Sequence, residues 1–264
     1  MHANGNDFIF IDKSKNPGLD NTVFEKLVRS ICHRRFGAGA DGVVTVESIN
    51  NSVFFRYFNR DGSEADICGN ALRCFARYVA EEGYSTEDEI LIHTVTGIKK
   101  ARIVSRGKWL VEIYIGKPVK TSIWDVELEG FKLYSIDIGV SHAVSFIDNL
   151  DIDVETVGRR IRYNPVFPEG ANVNFAMKKN KDTIVVRTYE RGVERETLSC
   201  GTGAVAVSYV AKEIGVIDED KQVILIETTG GAIHVLENVD GYYIRGEAKR
   251  VYDAYLYLTE LTPV

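Results

Sequence analysis

Apolar residues along the chain fall into short runs separated by polar turns. Phe8–Asp12, Val43–Val46 and Val53–Phe58 are rich in β-branched and aromatic residues and have the length of strands. Ala143–Ile147 and Thr183–Tyr189 repeat that character later in the chain, and so do Glu89–His93, Trp109–Ile115, Val223–Glu227 and Tyr242–Gly246. Helical spacing occurs in fewer places. Asn70–Glu82 and Thr202–Ile214 carry apolar residues at the helical period and run into Gly83 and Gly215, residues that commonly stop a helix. Thr22–His33 and Val154–Arg162 read as amphipathic helices. Gly116-Lys117-Pro118 looks like a linker, and Val251–Tyr257 reads as a strand that returns to one half or the other. Strands outnumber helices and do not alternate with them, which points to an α+β fold rather than regular βαβ winding.

The order of elements occurs twice. Glu64-Ala-Asp-Ile-Cys68-Gly69-Asn70-Ala71 resembles Glu196-Thr-Leu-Ser-Cys200-Gly201-Thr202-Gly203, and the two cysteines stand 132 positions apart, half of the 264-residue chain. The same offset pairs Tyr57 with Tyr189, Glu81 with Glu213 and Gly83 with Gly215. Phe10-Ile11-Asp12 resembles Phe146-Ile147-Asp148 at a slightly different offset. An internal duplication accounts for this pattern.

Composition narrows the function classes. Hydrophobic residues make up 45% and charged residues 27%, as in a well-cored globular protein. The formal charge of -6 argues against a nucleic-acid partner. No run is long and apolar enough for a membrane span, and the start lacks a basic region followed by an apolar run, so a cytoplasmic protein is expected. The four cysteines form no Cys-x-x-Cys pair and are too sparse for a disulfide framework, and no metal site is expected. Cys32 and Cys74 lie inside apolar helical stretches and read as core residues. His2, His33, His93 and His234 read as structural.

Cys68 and Cys200 differ from the other two. Each stands immediately before a helix and is followed by glycine. The first N–H groups of a helix have no partner within it, and the helix dipole places partial positive charge there. A thiolate at that point is stabilised, and a carboxylate docks on the same N–H groups. Two such thiols suit one reaction in particular: removing the α-proton of an amino acid from one face and returning a proton to the other. The helix N–H groups would stabilise the charge that develops on the carboxylate in the transition state. No Schiff-base lysine and no cofactor is required.

At these residues the sequence resembles the diaminopimelate epimerase family. The matching stretches are His2-Ala-Asn-Gly5-Asn6-Asp7-Phe8, Gly39-Ala-Asp41-Gly42, Phe58-Asn59-Arg-Asp61-Gly62-Ser63-Glu64, Cys68-Gly69-Asn70-Ala-Leu-Arg73-Cys74, Ala171-Asn172, Glu190-Arg191-Gly192 and Cys200-Gly201-Thr202-Gly203. The resemblance implies two similar α+β domains, each a curled, mostly antiparallel sheet around a central helix, with the active site in the cleft between them. The domains would be 1–117, with a tail strand over 249–264 packing back on it, and 118–248. It implies interconversion of LL- and meso-diaminopimelate on the route to lysine and peptidoglycan, without a cofactor. Cys68 and Cys200 would be the acid/base pair, and Gly69, Asn70, Gly201 and Thr202 would hold the reacting carboxylate. Asn6, Asn59, Asn172, Glu190 and Arg191 would bind the rest of this small diamino-dicarboxylate. His142 and Glu190 would tune the thiols, and Tyr252 would lie at the interface of a homodimer.

Two departures bear on the substrate. The family usually reads Gly-Asn-Pro-His where this chain has Gly139-Val140-Ser141-His142, and Val140 cannot hydrogen-bond through its side chain. Some members carry a substrate-contacting glutamine where this chain has Gly42. A two-cysteine racemase of another amino acid, lysine- or proline-like, is therefore an alternative, and a non-catalytic thiol redox switch is a third reading.

Overall fold

A computed structural model of the chain describes residues 1–16, 18 and 24–261. The expected helix start at Thr22 and the end of the tail, 262–264, lie outside the described residues. The chain divides into two compact units, Met1–Ile113 with Gly246–Val264, and Tyr114–Arg245.

The first unit runs β1 (His2–Ala3), β2 (Asn6–Asp12), α1 (Phe24–Cys32), β3 (Gly42–Ile49), β4 (Ser52–Asn59), β5 (Glu64–Ala65), α2 (Gly69–Glu81), β6 (Glu89–Thr94), β7 (Gly97–Ser105) and the first part of β8 (Leu110–Gly116), the unit boundary falling after Ile113. The second runs β9 (Val119–Leu128), β10 (Phe131–Asp137), β11 (Ser141–Phe146), α3 (Val154–Arg162), β12 (Asn172–Lys178), β13 (Thr183–Glu190), β14 (Arg195–Thr197), α4 (Gly201–Glu213), β15 (Val223–Thr228), β16 (Gly231–Asn238) and β17 (Gly241–Glu247).

Strand pairing repeats the duplication seen in the sequence. β2 pairs with β3 in parallel, β3 with β4 antiparallel, β4 with β5 antiparallel and β4 with β6 in parallel. In the second unit β11–β12, β12–β13, β13–β14 and β13–β15 follow the same sequence of senses. Antiparallel β6–β7–β8 and β15–β16–β17 complete the two series. The second unit adds β9 and β10 ahead of β11.

Each sheet packs against a buried helix. α2 contacts β1, β3, β4 and β7, while α4 contacts β10, β11, β12, β15 and β16. Ala71, Leu72, Phe75 and Val79 of α2 are fully buried, as are Val205, Val207 and Val210 of α4. Each large aliphatic or aromatic chain removed from water contributes roughly 1.5–3 kcal/mol, so these helices are fixed from all sides. The other two helices use one face. Phe24, Val28 and Ile31 of α1 pack on Val43 and Phe58, and Val154 and Ile161 of α3 pack on Val173, Phe175 and Tyr189.

The tail differs from its sequence pattern. Lys249 bridges to His2 through two backbone hydrogen bonds of 2.8 Å, and Arg250 pairs with Glu82 at 2.6 Å. Val251–Tyr257 then forms no strand, and a single 3₁₀ turn follows at Leu258–Glu260. Alternation predicts a strand only where a neighbouring strand offers backbone partners, and beyond Lys249 the segment pairs with none among the described residues.

Candidate active site

Cys68 and Cys200 are the N-caps of α2 and α4. Both have extended backbones, with φ −136° and ψ 116° at Cys68 and φ −123° and ψ 114° at Cys200. The first α-helical bond back to each cap comes from Leu72 N–H to the Cys68 carbonyl (2.9 Å) and from Ala204 N–H to the Cys200 carbonyl (3.0 Å). The N–H groups of Gly69, Asn70, Gly201 and Thr202 therefore have no acceptor within their helices. The remaining cysteines are of another kind. Burial pushes the thiols of Cys32 and Cys74 up to about 12, which keeps both protonated and inert.

The first site is built from the chain's start. Asn4 and Gly5, both at positive φ (51° and 80°), form the two-residue connection of the β1–β2 hairpin, in which Ala3 faces Asn6. Asn-Gly suits such a turn because both positions need the left-handed region. The turn delivers Asn6 to the mouth of α2. Its Nδ2 donates to Asp41 Oδ2 at 3.0 Å, which fixes the amide orientation. Asn6 Oδ1 then accepts from Asn70 Nδ2 at 3.2 Å and from Cys68 Sγ at 3.6 Å. Asp41 is itself held by Arg34, which also grips Asp7 through two hydrogen bonds of 2.7 and 3.0 Å.

Beneath Asn70 lies a completely buried guanidinium. Arg73 Nη2 donates to Asn4 Oδ1 at 2.9 Å and to Asn70 Oδ1, while its Nε and Nη1 are without partners. Burial lowers Arg73 to about 10, so it stays charged at neutral pH. The second unit has Val205 at the corresponding offset, so this cation belongs to the first site alone. Arg73 falls one turn after Asn70 on the same helix face.

The second site is built around a neutral histidine. His142 Nε2 lies 3.0 Å from Thr202 Oγ1, and Thr202 Oγ1 lies 3.5 Å from Cys200 Sγ. Gly203 N–H also donates to that sulfur, at 3.4 Å. His142 is completely buried, and desolvation, aided by the nearby Arg191 charge, lowers it to about 3. It is a neutral imidazole throughout the physiological range. Behind it stands Asn174, which the sequence reading passed over. Asn174 is two residues beyond Asn172 on one strand and so shares its face.

The other expected residues separate into two groups. Asn172 Oδ1 accepts from the Arg191 backbone N–H at 2.8 Å, and Arg191 Nη1 donates to the Glu169 carbonyl at 3.2 Å. Glu190 Oε2 accepts from Thr197 Oγ1 at 2.8 Å, at the end of β14, three residues before Cys200. Asn59 is tied to its own turn, with Nδ2 donating to Ser63 Oγ at 3.1 Å. Tyr252 is half exposed on the tail. Gly42 has a packing reason: a Cβ there would come within 2.4 Å of the Tyr57 ring.

Comparison with known proteins identifies the family. The sequence profile of diaminopimelate epimerase matches residues 1–121 and 134–251. The chain belongs to the diaminopimelate epimerase family. A relative from Archaeoglobus fulgidus named diaminopimelate epimerase is 45% identical over 99% of this chain and 96% of its own. One of the same name from Methanocella arvoryzae is 39% identical over 96% and 94%. The fold is similar to that of a phenazine biosynthesis protein of Bacillus anthracis, with a TM-score of 0.68 at 16% identity, covering 94% of this chain and 93% of that one. A hydroxyproline epimerase of Agrobacterium vitis matches with a TM-score of 0.60 at 16% identity, over 84% and 77%. In the structure Cys68 gathers Asn6, Asn70 and Arg73, and Cys200 gathers Thr202, His142 and Asn174; Arg73 and Asn174 are additions to the expected set.

Proposed function

We propose that this chain interconverts LL- and meso-diaminopimelate by moving a proton at the α-carbon. The observation that carries the reading is the pair of cysteines that N-cap the two buried helices in a chain of this family. One thiolate takes the α-proton, and the other cysteine, as a thiol, returns a proton to the opposite face. The roles exchange with direction. N–H groups of Gly69, Asn70, Gly201 and Thr202 hold the reacting carboxylate and receive the charge that spreads onto it. Acidification of the α-carbon comes from these donors, so the reaction needs no pyridoxal-type cofactor and no metal.

The distal end of the substrate carries a second amino and carboxylate group. Arg191, with Asn172 and Glu190, offers both signs of charge for it, and Asn6 and Asn59 supply further amide contacts. Proline has no second polar end, and lysine carries an amino group there without a carboxylate for Arg191 to meet, which favours the diamino-dicarboxylate over either. Among the described residues no helix is long and apolar enough to cross a membrane. We place the reaction in the cytoplasm on the lysine and peptidoglycan route. We further propose a homodimer joined through the tail, where Tyr252, Tyr255 and Tyr257 leave their rings exposed; light scattering of the purified protein and of Tyr252→Asp tests it.

The function is tested by a panel of LL-diaminopimelate, L-lysine and L-proline, with chiral separation of the products. Turnover of the first alone supports the reading. Activity only on lysine or proline overturns the substrate.

A further inference from the structure

We propose that Asn174 is a positioning residue that sets the direction of hydrogen bonding along the chain His142–Thr202–Cys200. The inference rests on the reading of Cys200 as an acid/base group. Asn174 is completely buried, and its amide orientation is dictated by its neighbours. Nδ2 faces two backbone carbonyls, Ala143 at 3.1 Å and Asn172 at 3.3 Å, while Oδ1 accepts from the Thr188 hydroxyl at 3.0 Å. A flipped amide would set its oxygen against both carbonyls, so Nδ2 is fixed as the donor on that side.

The same Nδ2 lies 3.1 Å from His142 Nδ1. The two Nδ2 hydrogens are shared among these three acceptors, and a proton on Nδ1 would be set against them, so Nδ1 is the unprotonated nitrogen and the neutral imidazole carries its proton on Nε2. Nε2–H donates to Thr202 Oγ1. With its oxygen accepting from the histidine, the threonine is left to aim its own proton at Cys200 Sγ, 3.5 Å away. The sulfur thus receives Thr202 O–H in addition to Gly203 N–H, and both favour its thiolate form.

Gly203 connects the two ends of this arrangement independently. A Cβ at Gly203 would come within 2.5 Å of Asn174 Oδ1 and 3.3 Å of Cys200 Sγ. The helix start is packed against the amide itself, and a side chain at Gly203 would disturb the amide and the thiol together.

The test is ¹⁵N NMR of histidine-labelled protein, with His142 assigned by the signal lost in His142→Gln. The expected result is an unprotonated Nδ1 and a protonated Nε2, unchanged between about pH 5 and 9. A protonated Nδ1, or an imidazolium in that range, overturns the proposal. Asn174→Asp then places an acceptor at Nδ1 and should invert the tautomer. In a Cys68→Ser background, alkylation of Cys200 by iodoacetamide near neutral pH should fall about tenfold or more, since hydrogen bonds to charged groups are the stronger ones. In the otherwise native enzyme kcat should fall with KM little changed. An inverted tautomer with unaltered Cys200 reactivity contradicts the proposal. Should Asn174→Asp fail to fold, Thr202→Val must reproduce the loss and Thr202→Ser must restore it; equal reactivity in the two overturns the chain. Protein that shows the Nε2–H tautomer and the loss of reactivity, yet leaves LL-diaminopimelate unchanged, supports this inference while sinking the proposed substrate.

Discussion

Gly246 lies flat against the buried guanidinium of Arg73, so close that a methyl group in its place would come within 1.8 Å of Nη1. Arg73 cannot retreat, because it is completely enclosed and bound to Asn4 and Asn70. Asn70 in turn donates to the asparagine that contacts Cys68. Gly246→Ala should therefore do more than overpack the core. A destabilisation of about 1–3 kcal/mol is expected from the forced shift, read as a lower denaturant midpoint. Turnover should fall as well, because Asn70 moves with the guanidinium. Full activity at reduced stability would separate Arg73 from the site.

Gly42 supports a second prediction. The Tyr57 ring and the Phe58 carbonyl already occupy the space a side chain would need, at 2.4 and 2.5 Å from a Cβ. Gly42→Gln, the residue some family members carry, should destabilise this chain by roughly 1–3 kcal/mol or more. Paired with Tyr57→Ala, which opens the space, the same substitution should cost less than the sum of the two single changes. Simple additivity in chemical denaturation would refute the packing account.

The depressed proton affinity of His142 ties stability to pH. An unfolded histidine titrates near 6.5, whereas burial holds His142 at about 3. Between those values the unfolded chain binds a proton that the folded one refuses. The contribution of His142 is therefore fully present above about pH 6.5 and is lost as pH falls toward 3. The slope is at most about 1.4 kcal/mol per pH unit. His2 and His234 are lowered in the same direction, so the comparison is with His142→Gln, whose stability should fall less steeply on acidification. Parallel curves would contradict the assignment.

An ion pair recurs ahead of each N-cap cysteine, and the two copies should differ in worth. Arg56 grips Glu64 at 2.6 and 2.8 Å, and Arg187 grips Glu196 at 2.7 and 2.6 Å. Arg187 additionally donates to the backbone carbonyls of Leu150 and Ile152, at 2.8 and 3.0 Å. Arg56 is the more exposed of the two, and its pair with Glu64 is screened by solvent, so Arg56→Met should cost no more than about 1 kcal/mol. Arg187→Met should cost more, about 1–3 kcal/mol, because it also strips donors from two carbonyls. Thermal melts of the two variants decide the order.

The duplication, the four helices and the two cysteine turns were legible because each rests on a strong local signal. α3 spans Val154–Arg162, the range its amphipathic pattern marks, and α2 and α4 begin within a residue of expectation. β10, β12 and β16 were also not read as strands despite their buried positions, whereas β7 and β9 escaped notice for a physical reason. β7 buries only Ala101 and Ile103 fully and interrupts its alternation with Lys99 and Lys100, and β9 has no fully buried position. Partnership in the sheet, not local pattern, makes them strands. The tail shows the converse, with good alternation and no partner. In the sites, the cysteines and their glycines announce themselves through spacing. Arg73 and Asn174 do not, because nothing local distinguishes a buried polar residue that organises a site from one that is exposed.

The most direct measurement is ¹H NMR of LL-diaminopimelate in D₂O with reduced protein and no added cofactor. The account predicts loss of the α-proton signal with appearance of the meso isomer, and at least a hundredfold slower loss with either Cys68→Ser or Cys200→Ser. An α-proton signal that persists in the presence of the native protein, or turnover that survives removal of either thiol, would contradict it.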